Sequence, residues 1–206
     1  MSFSDNFELH DDQVLISQAQ TGCNLAFGEL DRRYRVRLTT FVRMRLGTSA
    51  TFIDEDDVVQ ESFIKAWRAI ADFDICKRFS TWLFTIAQHT LVDHLRRQRR
   101  STQHKTLDNH VGVSSCCPER DLLNAEAAEQ LWSLASKLLS TDQLSVTWLR
   151  YGEDLAVGEI AAILHRSPIS VRVTLHRARR VLHNHLSHPS YQEGNAAAAE
   201  EKSYDD

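Results

Sequence analysis

Between residues 12 and 97 the apolar residues recur at steps of three and four, and the same spacing returns from about 121 to 188. That period belongs to helices with one buried face. Seven Gly and three Pro in 206 residues are too few for the turns of a sandwich or barrel. The chain therefore reads as all-α, with two small helical domains at 1–100 and 121–188 joined by a flexible linker over 101–120. The linker loses the period and is rich in Ser, Thr and His. An acidic, low-complexity tail over 189–206 reads as disordered.

Boundary residues divide these stretches into helices. Asp11 or Asp12 is expected to cap a short helix ending at Gly22, with Val14, Leu15 and Ala19 inward. Asn24 is expected to cap a second, whose apolar positions Phe27, Leu30, Tyr34, Leu38 and Phe41 run to Gly47. A third starts at Asp54–Asp57, where carboxylates suit a helix N-terminus, and turns Val59, Phe63, Trp67 and Ile70 inward. Residues 72–79 break the pattern as a loop. Ser80 then caps a fourth helix to about Arg97, burying Leu83, Ile86, Ala87, Leu91 and Leu95. In the second half, one helix covers roughly 121–138. Ser140 with Gln143 fits a capping box for the next, which ends at Gly152. A short helix spans about 156–164, and Ser167 caps a last one with Pro168 at its first position.

Charge narrows the function. The net charge is −4, but basic residues come in blocks. Residues 32–45 hold six arginines and no acid, 96–100 hold four arginines, and 166–180 hold five with no acid. Residues 1–12 carry four carboxylates and neither Lys nor Arg, and the tail carries five carboxylates against Lys202. Such a chain has local anion-binding faces without being a polycation. No Gly-rich phosphate loop occurs and no run approaches 18 apolar residues, so neither a nucleotide site nor membrane insertion is expected. Cys23, Cys76, Cys116 and Cys117 have no CxxC spacing and read as free thiols of a cytoplasmic protein. His104, His110, Cys116 and Cys117 miss the usual zinc spacing, so no metal and no cofactor is expected.

Three helix faces carry functional chemistry. The last two helices form a helix-turn-helix: Val157, Ile160, Ala161 and Leu164 pack, His165–Arg166 turn, and Val171, Leu175 and Ala178 point inward. The outer face presents Ser170, Arg172, Val173, Thr174, His176 and Arg177, suited to base edges and phosphates in a major groove, with Arg179 and Arg180 following. Opposite the fourth helix's core stripe lie Trp82, Thr85, His89, Asp93, Arg96 and Arg100, and the preceding loop adds Phe73, Lys77, Arg78 and Phe79. Rings among arginines suit a strand whose bases are unstacked. The third helix turns Asp57, Gln60, Glu61, Lys65 and Arg68 outward, a face that solvent alone could explain.

Three ordered stretches then resemble the extracytoplasmic-function (ECF), group-four sigma factors of the sigma-70 family, across about 12–100 and 126–186. DVVQESFIKAWRA (57–69) resembles region 2.2. FSTWLFTIA (79–87) with Asp93–Arg97 resembles regions 2.3 and 2.4, and LHRARRVL (175–182) resembles the end of region 4.2. The resemblance implies a non-enzymatic subunit that binds core RNA polymerase and directs promoter-specific initiation, of a stress or envelope-signal regulon. Asp56, Asp57, Gln60, Glu61 and Lys65 would dock on the beta-prime clamp helices. Phe73, Lys77, Arg78, Trp82, His89, Arg96, Arg97 and Arg100 would capture the melted minus-ten strand of promoter DNA. Arg166, Ser170, Arg172, Thr174, His176, Arg177, Arg179 and Arg180 would read the minus-thirty-five element, with region 4 also touching the beta flap. An anti-sigma factor is an implied partner. The family usually has Asn where His89 stands, Gly where His165 stands and often Arg where Thr174 stands.

Two rival functions differ in what they need. A stand-alone helix-turn-helix regulator has no use for Trp82, His89 and a basic stripe in a separate domain. A metal-dependent nuclease using Asp54–Asp57 fails on geometry, because consecutive helical carboxylates splay around the axis.

Overall fold

A computed structural model describes residues 10–47, 53–102 and 131–187; residues 1–9, most of the 101–120 linker with its cluster His104, His110, Cys116 and Cys117, the first ten residues of the helix expected over 121–138, and the acidic tail lie outside the described residues. Every regular element among the described residues is helical. Asp11 caps α1 (Asp12–Gln20), accepting from the Asp12 N–H at 2.8 Å. Leu15 and Ala19 are buried as expected, whereas Val14 is 43% exposed and Ile16 takes its place on the inward face. Gly22 takes φ +92 and turns the chain into α2 (Asn24–Leu46). Asn24 is already helical there, and the capping position is Cys23, which makes no side-chain cap bond.

Gly47 ends α2 at φ +59. Asp54 caps α3 (Glu55–Ala69), accepting from the Asp56 N–H at 2.9 Å. Arg43 grips Glu55 and so pins α3 to the end of α2. A single 3-10 turn (Ile70–Asp72) leads to the loop 73–78 and then to α4 (Phe79–Thr102). Ser80 is 4% exposed and already inside α4, so it is not the cap; the helix begins one residue earlier because Phe79 is drawn into the core against Tyr34 at 5.2 Å. α4 also runs on past Arg97 to Thr102.

Residues 131–138 are helical. Ser140 and Gln143 form the reciprocal capping box at the start of α5 (Thr141–Tyr151), which Gly152 ends. Glu159 accepts from the Ala156 N–H at 2.7 Å and fixes the entry of α6 (Val157–Leu164). Ser167 caps α7 (Pro168–Leu186), accepting from the Ser170 N–H at 3.2 Å.

The two halves share one core. Leu30, Phe41, Phe84 and Leu91 of the first half belong to the same buried cluster as Trp148, Leu149, Ile160 and Val171 of the second. α2 packs on α5 and α4 packs on α6. Trp148 joins them: its ring lies 6.3 Å from Phe41, nearly parallel, and 5.7 Å from Phe84, edge-on. Polar contacts ring this patch. Arg37 donates to Glu153, whose side chain is 2% exposed, and Arg45 and Arg166 both grip Asp142. A Cβ at Gly47 would meet Thr141 Oγ1 at 2.8 Å, so a larger residue would push on the first residue of α5, and Gly also suits the positive φ here. No helix among the described residues is long and apolar enough to cross a membrane.

Candidate nucleic-acid interface

The turn between α6 and α7 sets the orientation of the last helix. His165 occupies the left-handed region at φ 51 and ψ 47. Its N–H and that of Arg166 close the end of α6 on Ala162 and Ala161 carbonyls at 3.3 and 2.9 Å. Histidine is among the side chains that accept this region, which is how the turn forms without Gly. Val171, Leu175 and Ala178 then face the core. Ser170, Arg172, His176, Arg177 and Arg180 lie exposed on the other side, an open cationic helix face.

Three sequence candidates in this half have other partners. Arg166 donates to Asp142 at 2.6 Å, and its role is to hold the turn on α5. Burial pushes the Asp142 carboxyl up, but hydrogen bonds from Arg166 and Arg45 outweigh it and hold the group below its ordinary value. Thr174 spends its hydroxyl on the Ser170 carbonyl at 2.9 Å. Arg179 donates to the Tyr151 hydroxyl at 2.7 Å and lies over that ring.

The α4 face is partly covered. Phe73 corrects the expectation of a base-stacking ring: it is 6% exposed, packed 4.7 Å from Trp82 and 5.7 Å from Phe79. The loop that carries it is tied back by Gln20, which donates to the Phe73 carbonyl at 2.7 Å. Trp82 is half-buried on this aromatic wall. Arg78 donates to the Asp154 carbonyl at 3.0 Å, and Thr81 donates to Glu159 at 2.8 Å. His89 stacks on His165, with ring centroids 4.6 Å apart and the two Nε2 atoms at 2.5 Å. Burial, then the neighbouring His165, then Lys65 push the His89 pKa down, against the pull of Asp93. Lys77, Arg96, Arg97 and Arg100 are exposed. Lys77 lies 3.9 Å from Asp74, and Arg96 lies 3.9 Å from Asp93.

On α3 the candidates separate into two groups. Asp56, Asp57 and Gln60 are exposed. Glu61 is instead a junction between α3 and α4, accepting from Lys65 at 2.8 Å, contacting His94 at 2.7 Å and lying 3.7 Å from Arg97. Hydrogen bonds from Lys65 and His94 hold its carboxyl at about 2. Lys65 also donates to Thr90 at 3.1 Å, so both residues brace the helix pair. Sequence reasoning had no access to Glu153, Asp142 or Trp148 as functional residues. Each has a partner on the other half of the chain, and no local spacing reports it. Among the described residues no three His, Cys, Asp or Glu side chains converge as metal ligands.

Known proteins with this pattern are sigma factors. The family model for Sigma-70 region 2 matches residues 30–101, and that for Sigma-70, region 4 matches residues 134–182. The ECF RNA polymerase sigma-E factor of Escherichia coli (strain K12) is 30% identical over 181 residues, covering 84% of this chain and 93% of that protein. The ECF RNA polymerase sigma factor SigW of Bacillus subtilis (strain 168) is 27% identical over 180 residues, covering 83% and 94%. The structure of CnrH in complex with the cytosolic domain of CnrY superposes at a TM-score of 0.53 with 30% identity, covering 85% of this chain and 96% of that one.

Proposed function

Because this chain belongs to the extracytoplasmic-function group of the sigma-70 family, we propose that its two halves divide promoter recognition between them. A sigma factor binds core RNA polymerase and directs promoter-specific initiation, while the polymerase performs the chemistry. The chain is not an enzyme. Residues 1–100 serve as region 2 and 121–188 as region 4, with 101–120 between them. Asp56, Asp57 and Gln60 form the exposed surface that meets the beta-prime clamp helices; Glu61 and Lys65 hold that helix in place. Region 4 meets the beta flap and the duplex. The protein works in the cytoplasm, where polymerase and promoter are, under an anti-sigma factor that answers a stress or envelope signal.

The observation that carries the reading is the division of α7 into two faces. Val171, Leu175 and Ala178 anchor it, and Arg172, His176, Arg177 and Arg180 are left open on the far side of a capped helix-turn-helix. A major groove admits such a helix, and its cations neutralise phosphates. Strand capture by Trp82, His89, Arg96 and Arg100 requires a further step. Arg78 faces the turn before α6 and His89 the turn after it, so the halves must part before a strand can enter.

Run-off transcription with purified core polymerase tests the function. The chain alone should confer promoter-specific initiation. Initiation only in the presence of a second sigma factor would refute the reading and leave a helix-turn-helix regulator.

A further inference from the structure

Among the described residues, most exposed large apolar side chains have no exposed apolar partner one helical turn away. One pair differs. Ile169 is 70% exposed and Val173 is 43% exposed, and they stand one turn apart in the N-terminal half of α7. No other two of the exposed large apolar residues among those described are spaced in this way. At 100° per residue they fall on the line opposite Val171, Leu175 and Ala178. Arg172 and His176 flank that line on one side, and Ser170 and Arg177 on the other. Over the first turns of α7 the outermost strip of a helix otherwise built for phosphates and polar base edges is therefore aliphatic, and Arg180 continues the line further along.

The major-groove edges of the base pairs carry donors, acceptors and one apolar group, the C5-methyl of thymine. N-terminal residues of a recognition helix are the ones that reach base edges. The geometry points to Ile169 and Val173 as specificity residues that read thymine methyl groups in the minus-thirty-five element, between the polar contacts of Arg172 and Arg177. This inference rests on region 4 reading duplex DNA as proposed above. Both side chains are exposed, so truncating them leaves the α7 core contacts intact.

The test uses holoenzyme reconstituted from the full chain and core polymerase. A promoter library randomised in the minus-thirty-five element should return thymine at one or two positions. Replacing each of those thymines singly by deoxyuridine removes only the methyl. Initiation should fall about fourfold at the contacted position, the equivalent of one buried methyl group. In holoenzyme carrying Ile169→Ala or Val173→Ala the same replacement should cost nothing at the position that residue reads. A library with no thymine preference overturns the proposal. So does a wild-type holoenzyme indifferent to deoxyuridine, or a sensitivity that survives in both variants. A holoenzyme that makes no promoter-directed transcript at all instead refutes the region 4 reading, and this proposal with it.

Discussion

Trp148→Ala is the perturbation that most directly tests the shared core. The ring is 2% exposed and lies between Phe41 and Phe84, both of which are fully buried residues of the other half. Truncating a buried Trp removes its transfer free energy and leaves a cavity, together about 3–5 kcal/mol. That is a large fraction of the roughly 5–15 kcal/mol that holds a domain folded. The loss falls on the contact between the halves as well as on α5, so their unfolding should uncouple. Guanidinium denaturation followed by far-UV circular dichroism should show one transition for the natural chain. The variant should show a lowered midpoint and two resolved steps, and the native state should have a larger hydrodynamic radius. Trp148→Phe should recover most of the difference. If the variant loses less than about 0.5 kcal/mol, the range of an exposed substitution, and keeps one transition and the same radius, the packing argument is wrong.

Four further outcomes are expected. Glu61→Lys should cost about 1–2 kcal/mol of stability through its contacts with Lys65 and His94, whereas exposed Asp57→Lys should leave thermal melting unchanged and weaken co-purification with polymerase. Glu29, held at about 2 by hydrogen bonds from Arg32 first and then Arg33, and Glu61, also at about 2, both sit below the ordinary 4.5. Their stabilisation is thus full above about 4.5 and lost as pH falls toward 2, so melting temperatures should drop through that window and Glu61→Gln should flatten the drop. The His89 pKa lies below its ordinary 6.5, so protonation opposes the docked halves and the hydrodynamic radius should grow as pH falls through 6.5 and below; His165, Lys65 and Asp93 are the charged neighbours, and His89→Gln should remove the response. Arg172→Ala should relax preference at one base pair for about 1–3 kcal/mol, while Arg180→Ala should weaken all duplexes alike and reduce the salt slope by about one; promoter-library transcription separates the two.

What could be read in the sequence depended on the distance between partners. The box at Ser140–Gln143 and the cap at Ser167 with Pro168 beside it close over three residues or fewer, and both formed as expected. The turn at His165–Arg166 also fell where the sequence placed it. Ser80 and Asn24 are sound caps by local chemistry, yet tertiary packing of Phe79 and an earlier start at Cys23 moved both helix ends. The periodic face of α3 correctly put Asp57 and Gln60 outside, but could not know that α4 brings His94 to Glu61. Phe73 read as a stacking ring because an aromatic in a basic loop looks like one; Phe79 and Trp82 claim it first. Arg37 and Glu153 are 116 residues apart, and nothing in either neighbourhood reports the other.

The shared core also has a consequence for competition. A chain that must separate its halves to engage polymerase binds with its intrinsic affinity multiplied by the fraction already open. If about one molecule in a hundred is open, apparent affinity falls about a hundredfold, with every polymerase contact intact. Trp148 and Glu153 touch neither polymerase nor promoter in this scheme, yet they set the concentration at which this subunit displaces its rivals from a limited pool of enzyme. Selection can therefore tune when the regulon switches on by altering one buried aromatic contact between the halves.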